Sequence, residues 1–324
     1  DLLDLNDLRA AFRMGAEFFG REDFLWISTL GKKGLPPSKL SVMLPDSGLY
    51  IMRSGWSEND SYAFLACPRM ERVDAAMHHR HGDALHFEMC AYGETLLTDS
   101  GRYCYWVDGL WRTESVSSDV SQKPLERART FPATRMHNTV VVDGVEQIEW
   151  RADPKCPALF PNSICNCWYT SESFDWVDVA HEGCRRLPNP ITHQRRVAFI
   201  KPDYWVVEDI LDGEGEHDFE LFWHFVPGDV TIQSDKKVVF RTASEVKLIV
   251  NCLEGSMDME VIKGQTDPLQ GWVSFGYGHK EPAPVLRIAR KAAVPTRFVT
   301  LLLPFRGEDH PWMSRGVPGD RPGA

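Results

Sequence analysis

The residues of this 324-residue chain best suited to chemistry are concentrated in two stretches. His78, His79 and His81 stand close together, with Asp83 two positions further on. Asp99 closes the run LLTDSG, and His137 heads MHNTVVVDG. Between the first histidines and Asp99, Leu85, Phe87 and Met89 alternate with His86, Glu88 and Cys90, the period of a half-buried strand. A hairpin built on that strand would carry His81 near one end and Asp99 near the return end, so imidazole and carboxylate could meet, with His137 a third partner. Two imidazoles and one carboxylate suit a closed or nearly closed zinc site, and His79 beside it would face a substrate. A blander reading competes. Histidine-rich patches in β-proteins are often polar turns, Asp before Ser-Gly is ordinary turn chemistry, and no compact ligand motif such as CxxC is present. Spacing alone leaves both open.

The segments HHRHGDALHFEMCAYGETLLTDSGRYCYW and FPATRMHNTVVVDGVEQ resemble the heparinase II/III-like family of polysaccharide lyases. That family shows a GHGHAD-like start, an LLxDxGxYxY segment and an RSTxxHNTVxVDGxxQ segment. Here they read His79-Arg80-His81-Gly82-Asp83, Leu96 to Tyr105, and Thr134 to Thr139. The resemblance places metal ligands on His81, Asp99 and His137, with Zn2+ or another divalent cation in a structural role, and a sugar-facing histidine on His79. It implies β-elimination on a uronic-acid-containing, acidic polysaccharide. Such a reaction needs a group to neutralise the carboxylate, a base for the C5 proton and an acid for the leaving oxygen. In the family an α/α toroid supplies part of that set, so most of the helical domain would be missing here. Tyr105 and Arg135 are substrate-contact candidates. Tyr103 and Tyr105 match family tyrosines but read first as packing residues. Arg135 departs from the small residue usual at its place, and either meets substrate or pairs with Glu126.

The supporting elements are mostly strands. Residues 5–20 read as an amphipathic helix, with Asn6 as N-cap and Gly20 as stop. From residue 36 onward helical periodicity nearly vanishes, and about twelve runs rich in Val, Ile, Phe, Tyr and Trp read as strands punctuated by Gly, Pro, Asp and Asn. Lys201-Pro202-Asp203 suits a type I turn between two of them. The fold class expected is mainly β: an antiparallel sandwich or supersandwich behind a short helical remnant. The expected division is 1–30 as the toroid remnant, 31–310 as the β-sandwich domain and 311–324 as a flexible tail. Residues 108–135 read as a long loop or short helix near the motifs.

A net charge of −10 argues against nucleic acid and sits awkwardly with a polyanionic substrate unless arginines cluster locally. Arg102, Arg112, Arg127, Arg129 and Arg135 lie near the motifs. No apolar run is long enough to span a membrane. Neither a signal peptide nor an initiator Met is visible, so the sequence is expected to begin inside a longer chain, with bacterial cytoplasm, periplasm and secretion all open. Eight scattered cysteines lean towards a reducing compartment. A homodimer is compatible with the sequence. The alternative function is a non-catalytic carbohydrate-binding module, since 11 tryptophans could stack on sugars. A metal-supported sandwich of purely structural role is a third.

Overall fold

The computed structural model describes residues 7–68, 81–103, 106–107, 110–111, 131–150, 158–159, 161–255, 257–276 and 278–307. The first element is α1 (Arg9–Phe19), which ends where Gly20 turns left-handed at φ 63°. It starts later than residue 5. Leu8 occupies the N-cap without a side-chain bond, and Asn6 lies outside the described residues. A second helix, α2 (Glu22–Ser28), follows, and Phe12 meets Phe24 edge-on at 5.5 Å. Ala16 is the one buried residue of α1, while Phe18 and Phe19 are 80% and 68% exposed. The apolar face expected of this helix therefore exists, but the described residues leave it largely uncovered.

Apart from two short 3-10 turns, the remaining regular elements among the described residues are strands paired antiparallel. Val42–Leu44 (β1), Leu49–Arg53 (β2), Tyr62–Ala66 (β3), Phe87–Ala91 (β4) and Glu94–Leu97 (β5) form a five-stranded meander. Beyond β5 the pairing passes to a second sheet, since Leu97 bridges Phe225 and the Thr98 N–H donates to the His224 carbonyl at 3.0 Å. That sheet runs in the order Asp258–Ile262, Val285–Ala293, Glu216–His224, Val140–Val142. An eight-stranded sheet, from Ser163–Thr170 at one edge to Asp229–Ile232 at the other, forms the opposing layer. Leu65, Phe87 and Leu96 from the first sheet share one core with Phe219 and Trp223 from the second. Val197, Trp205, Leu248 and Phe298 join it from the third. The result is the expected β-sandwich.

The long hairpin in the eight-stranded sheet shows why. Ile191–Ile200 alternates buried and half-buried side chains along its whole length, and Tyr204–Gly213 continues in register, so every second residue enters the core. The structure also departs from the sequence reading in further details, among them short strands at Val42–Leu44, Asp229–Ile232 and Asp258–Ile262 that were not read. The Lys201–Pro202 peptide is cis, so the connection is not a type I turn. Ser163–Thr170 is also a strand, unread because it lies at the sheet edge with mostly exposed or half-exposed side chains and lacks an apolar alternation.

Candidate functional site

His81, Asp99 and His137 converge although they come from three separate segments. Asp99 follows β5, where Gly101 (φ 78°) turns the chain and donates its N–H to Asp99 Oδ1 at 2.6 Å. No side chain fits at Gly101, because a Cβ there would lie 2.0 Å from the Ser274 carbonyl oxygen. His137 leaves a 3-10 turn, Thr134–Met136. Gly82 brings His81 alongside: its N–H donates to the Pro132 carbonyl at 2.7 Å, and a Cβ would stand 2.7 Å from Thr134 Oγ1.

His137 Nδ1–H donates to Asp99 Oδ2 at 2.6 Å, and the His81 and His137 rings are 5.2 Å apart. One nitrogen or oxygen from each of the three residues lies within 4.8 Å of the others. Burial pulls the His81 pKa down to about 3, and the neighbouring His137 adds to this, so His81 is the neutral imidazole a metal needs. Burial also lowers His137, but the Asp99 charge and hydrogen bond outweigh it and raise the pKa. For Asp99, burial raises the pKa and is overcome by the same partner, which holds it well below the ordinary carboxylate range.

A metal fits this trio on two counts. The donor set is of the right chemistry, and His137 Nε2 is buried with no hydrogen-bond partner among the described residues. At His81, Nε2 receives Arg102 Nη1–H at 3.2 Å, so an ion taking that lone pair would displace the arginine. A second trio, His86, Glu88 and Asp99, is equally close. It fits less well. His86 Nδ1 accepts the Asn138 N–H at 2.9 Å, so the ring proton sits on Nε2, facing Glu88 Oε1 at 3.2 Å and Asp99 Oδ2 at 3.6 Å.

A buried polar scaffold holds these segments. Asn138 Nδ2–H donates to the Phe87 and Thr98 carbonyls at 2.8 and 3.1 Å, tying the His137 strand to both sides of the β4–β5 hairpin. Fully buried Arg195 donates from Nη1 to the Leu85 and Asn138 carbonyls, each at 2.6 Å. Its Nε and Nη2 form a bidentate pair with Asp209 at 2.6 and 2.9 Å. His193 Nε2–H donates to Asp209 at 2.7 Å and receives His181 Nε2–H at Nδ1 (3.1 Å). His181 Nδ1 in turn accepts the Gly183 N–H.

Of the sequence candidates, His81, Asp99 and His137 come together. Arg135 is half-buried and lines a different cavity, on the four-stranded sheet. His79 and Tyr105 lie outside the described residues, as do Arg112, Arg127, Arg129 and Glu126. Arg102 reaches His81. Tyr103 packs as expected, stacking on Phe131 at 5.8 Å. The roles of Asn138, Arg195, Asp209 and His86 were not read from the sequence. A signal for Arg195 was present, since it shares the alternating face of Ile191, Val197 and Phe199. A charge on such a face demands a buried partner.

The comparisons with known proteins agree with this architecture. A curated relative, "Heparin-sulfate lyase" of Pedobacter heparinus, is 26% identical over 97% of this chain and 42% of its own length. Another, "Heparin-sulfate lyase" of Bacteroides stercoris, is 23% identical over the same shares. The chain thus spans less than half the length of these relatives. The crystal structure of heparan sulfate lyase from Pedobacter heparinus superposes with a TM-score of 0.75 at 21% identity, over 95% of this chain and 43% of that one, and so shares the fold. The family profile described as "Heparinase II/III-like, C-terminal" matches residues 36–309. The chain belongs to the heparinase II/III-like family.

Proposed function

We propose that this chain carries the β-sandwich part of a polysaccharide lyase that cleaves a uronic-acid-containing, acidic glycosaminoglycan or related uronan by β-elimination. The observation that supports it most directly is the meeting of His81, Asp99 and His137 within 4.8 Å, in a chain of this family. These three side chains would hold a structural Zn2+ or another divalent ion. When bound, that ion supplies fixed positive charge that fastens the segment around His81 to the β5 turn and to the His137 strand. His79, two residues before His81, then meets the sugar. It takes the C5 proton or neutralises the uronate carboxylate, so that negative charge developing at C5 is tolerated. Arg135 and Tyr105 are proposed as substrate contacts, and the remaining acid–base groups as residues of a preceding helical domain. Asn138 and Arg195 orient the backbone under the site without touching sugar.

The test is elemental analysis of the purified chain with and without chelator, paired with an ultraviolet assay for unsaturated uronate using the full-length protein. About one metal per chain and new absorbance on heparin, heparan sulfate or alginate would support the reading. Turnover unaffected by His79→Ala would overturn it. A non-catalytic sugar-binding role is favoured by Trp168, which with Met43 lines an open cleft of about 540 Å³. Binding without any turnover by the full-length protein would select that alternative.

A further inference from the structure

The connection from Tyr204–Gly213 to Glu216–His224 carries the chain from the eight-stranded sheet to the four-stranded one, and so joins the two layers of the sandwich. It is short and bounded by glycines. A Cβ at Gly213 would lie 1.9 Å from the Pro190 carbonyl oxygen, and Gly215 sits at φ 89°, where glycine is favoured. Between the two, the Glu214 carbonyl lies 2.7 Å from Nε2 of His217, a residue only 2% exposed. The other ring nitrogen, Nδ1, is 2.7 Å from Asp143 Oδ2. Asp143 and Gly144, at φ 53° and 65°, form the two-residue turn between Val142 and Val145. That turn is fastened beside His217, because the Asp143 N–H donates to the Asp218 carbonyl at 2.8 Å and Asp143 Oδ1 accepts the Asp218 N–H at 2.9 Å.

The two partners fix the charge of the ring. A carbonyl oxygen only accepts, and so does an ionised carboxylate at the protein surface. Both nitrogens therefore face acceptors at hydrogen-bonding distance. A neutral imidazole has one N–H and satisfies one of them, whereas the imidazolium satisfies both. Burial pulls the ring's pKa down, but the bonds to Asp143 and to the Glu214 carbonyl, with the charges of Asp143 and Asp218, raise it above its ordinary 6.5. The neighbouring charges are accounted for. Glu216 and Asp218 flank His217 on its own strand, and Lys291, opposite Asp218 on Val285–Ala293, pairs with Glu216 at 3.4 Å. The connection adds Asp212 and Glu214, both exposed. Near Asp143, burial pushes the Cys184 thiol up to about 11, so it is neutral. Arg186 donates to the Glu146, Gln147 and Gly183 carbonyls.

We propose that His217 is a proton-operated latch between the layers of the sandwich: as imidazolium it holds the Glu214 connection and the Asp143 turn together, and on losing its proton it keeps Asp143 and releases Glu214. The carboxylate is the stronger acceptor, so the remaining hydrogen stays on Nδ1. The Nε2 lone pair then faces the Glu214 carbonyl oxygen, and the flanking glycines let that peptide turn away. Since folding raises the ring's affinity for its proton, the latch contributes its full stability below 6.5 and loses it as pH rises through the folded value. It depends on neither the metal nor the lyase reading.

Nuclear magnetic resonance of the 15N-labelled chain tests the latch without any substitution. At pH 7 the ring spectrum of His217 should show a hydrogen on both nitrogens, a pattern distinct from either neutral tautomer. As pH rises, Nε2 should be the nitrogen that loses its hydrogen. The Gly215 amide, which shares a peptide group with the Glu214 carbonyl, should shift with the same midpoint. Asp143→Asn suits the left-handed turn position and leaves a side-chain oxygen for the Asp218 N–H. It should lower the His217 midpoint by about one pH unit or more. A neutral His217 ring at pH 7, a Gly215 amide indifferent to the ring's titration, or an unchanged midpoint in Asp143→Asn would overturn the proposal.

Discussion

Arg195→Met tests whether the buried scaffold under the candidate site is held by charge. The substitution keeps a side chain of similar reach beneath the Trp223 ring, whose centroid lies 5.5 Å from the guanidinium carbon. It removes the bidentate pair with Asp209 and both bonds to the Leu85 and Asn138 carbonyls. Asp209 is fully buried, and burial alone would raise its pKa. Arg195 and His193 overcome this and hold it at about 2. Taking one partner from a buried ion pair costs about 3–5 kcal/mol, because the remaining charge stays in a low-dielectric core. We expect urea denaturation of the chain to show a loss of that size with an unchanged m-value. Adding Asp209→Asn to Arg195→Met should restore part of the loss, since it removes the stranded carboxylate. A loss below about 1 kcal/mol for Arg195→Met, or a double variant no more stable than the single one, would refute charge as the source of this order.

Three further expectations follow from the same geometry. His81→Ala and His137→Ala should each lose bound metal and lower the melting temperature, because one ligand of three is gone; unchanged metal content in both would remove the site. His79→Ala in the full-length protein should leave folding intact and lower the lyase rate by about two orders of magnitude or more, read by unsaturated-uronate absorbance; an equal rate would reduce His79 to a bystander. Stability should fall as pH drops below 6.5. Burial depresses the pKa of His224 to about 3, and lowers His181 and His193 as well. In each case the unfolded chain binds a proton that the folded chain refuses, so stability is fully present above 6.5 and is lost towards the depressed folded values. Urea midpoints that stay constant between pH 7 and 5 would contradict this.

Much of the fold was legible in the chain itself, because strands with one buried face write their period into the sequence. Phe87 and Met89 against Glu88 and Cys90, and the alternation through Ile191–Ile200, needed only local pattern to be read. The cluster of His81, Asp99 and His137 could be nominated from residue types and from the family's motifs. Pattern failed where its cause was absent: the edge strand Ser163–Thr170 buries little and so carries no alternation. Distances are set elsewhere. That His137 points Nδ1 at Asp99, that Asn138 ties its strand to Phe87 and Thr98, and that Arg195 grips Leu85 and Asn138 all depend on strand register and on two layers meeting. The Gln270 oxygen, unpaired among the described residues, is furthest from local pattern, because the direction of its amide follows from hydrogen bonds linking residues 138, 224 and 270. Side-chain period is a property of neighbours in the chain, whereas the pairing of buried donors and acceptors is a property of segments that only folding brings together.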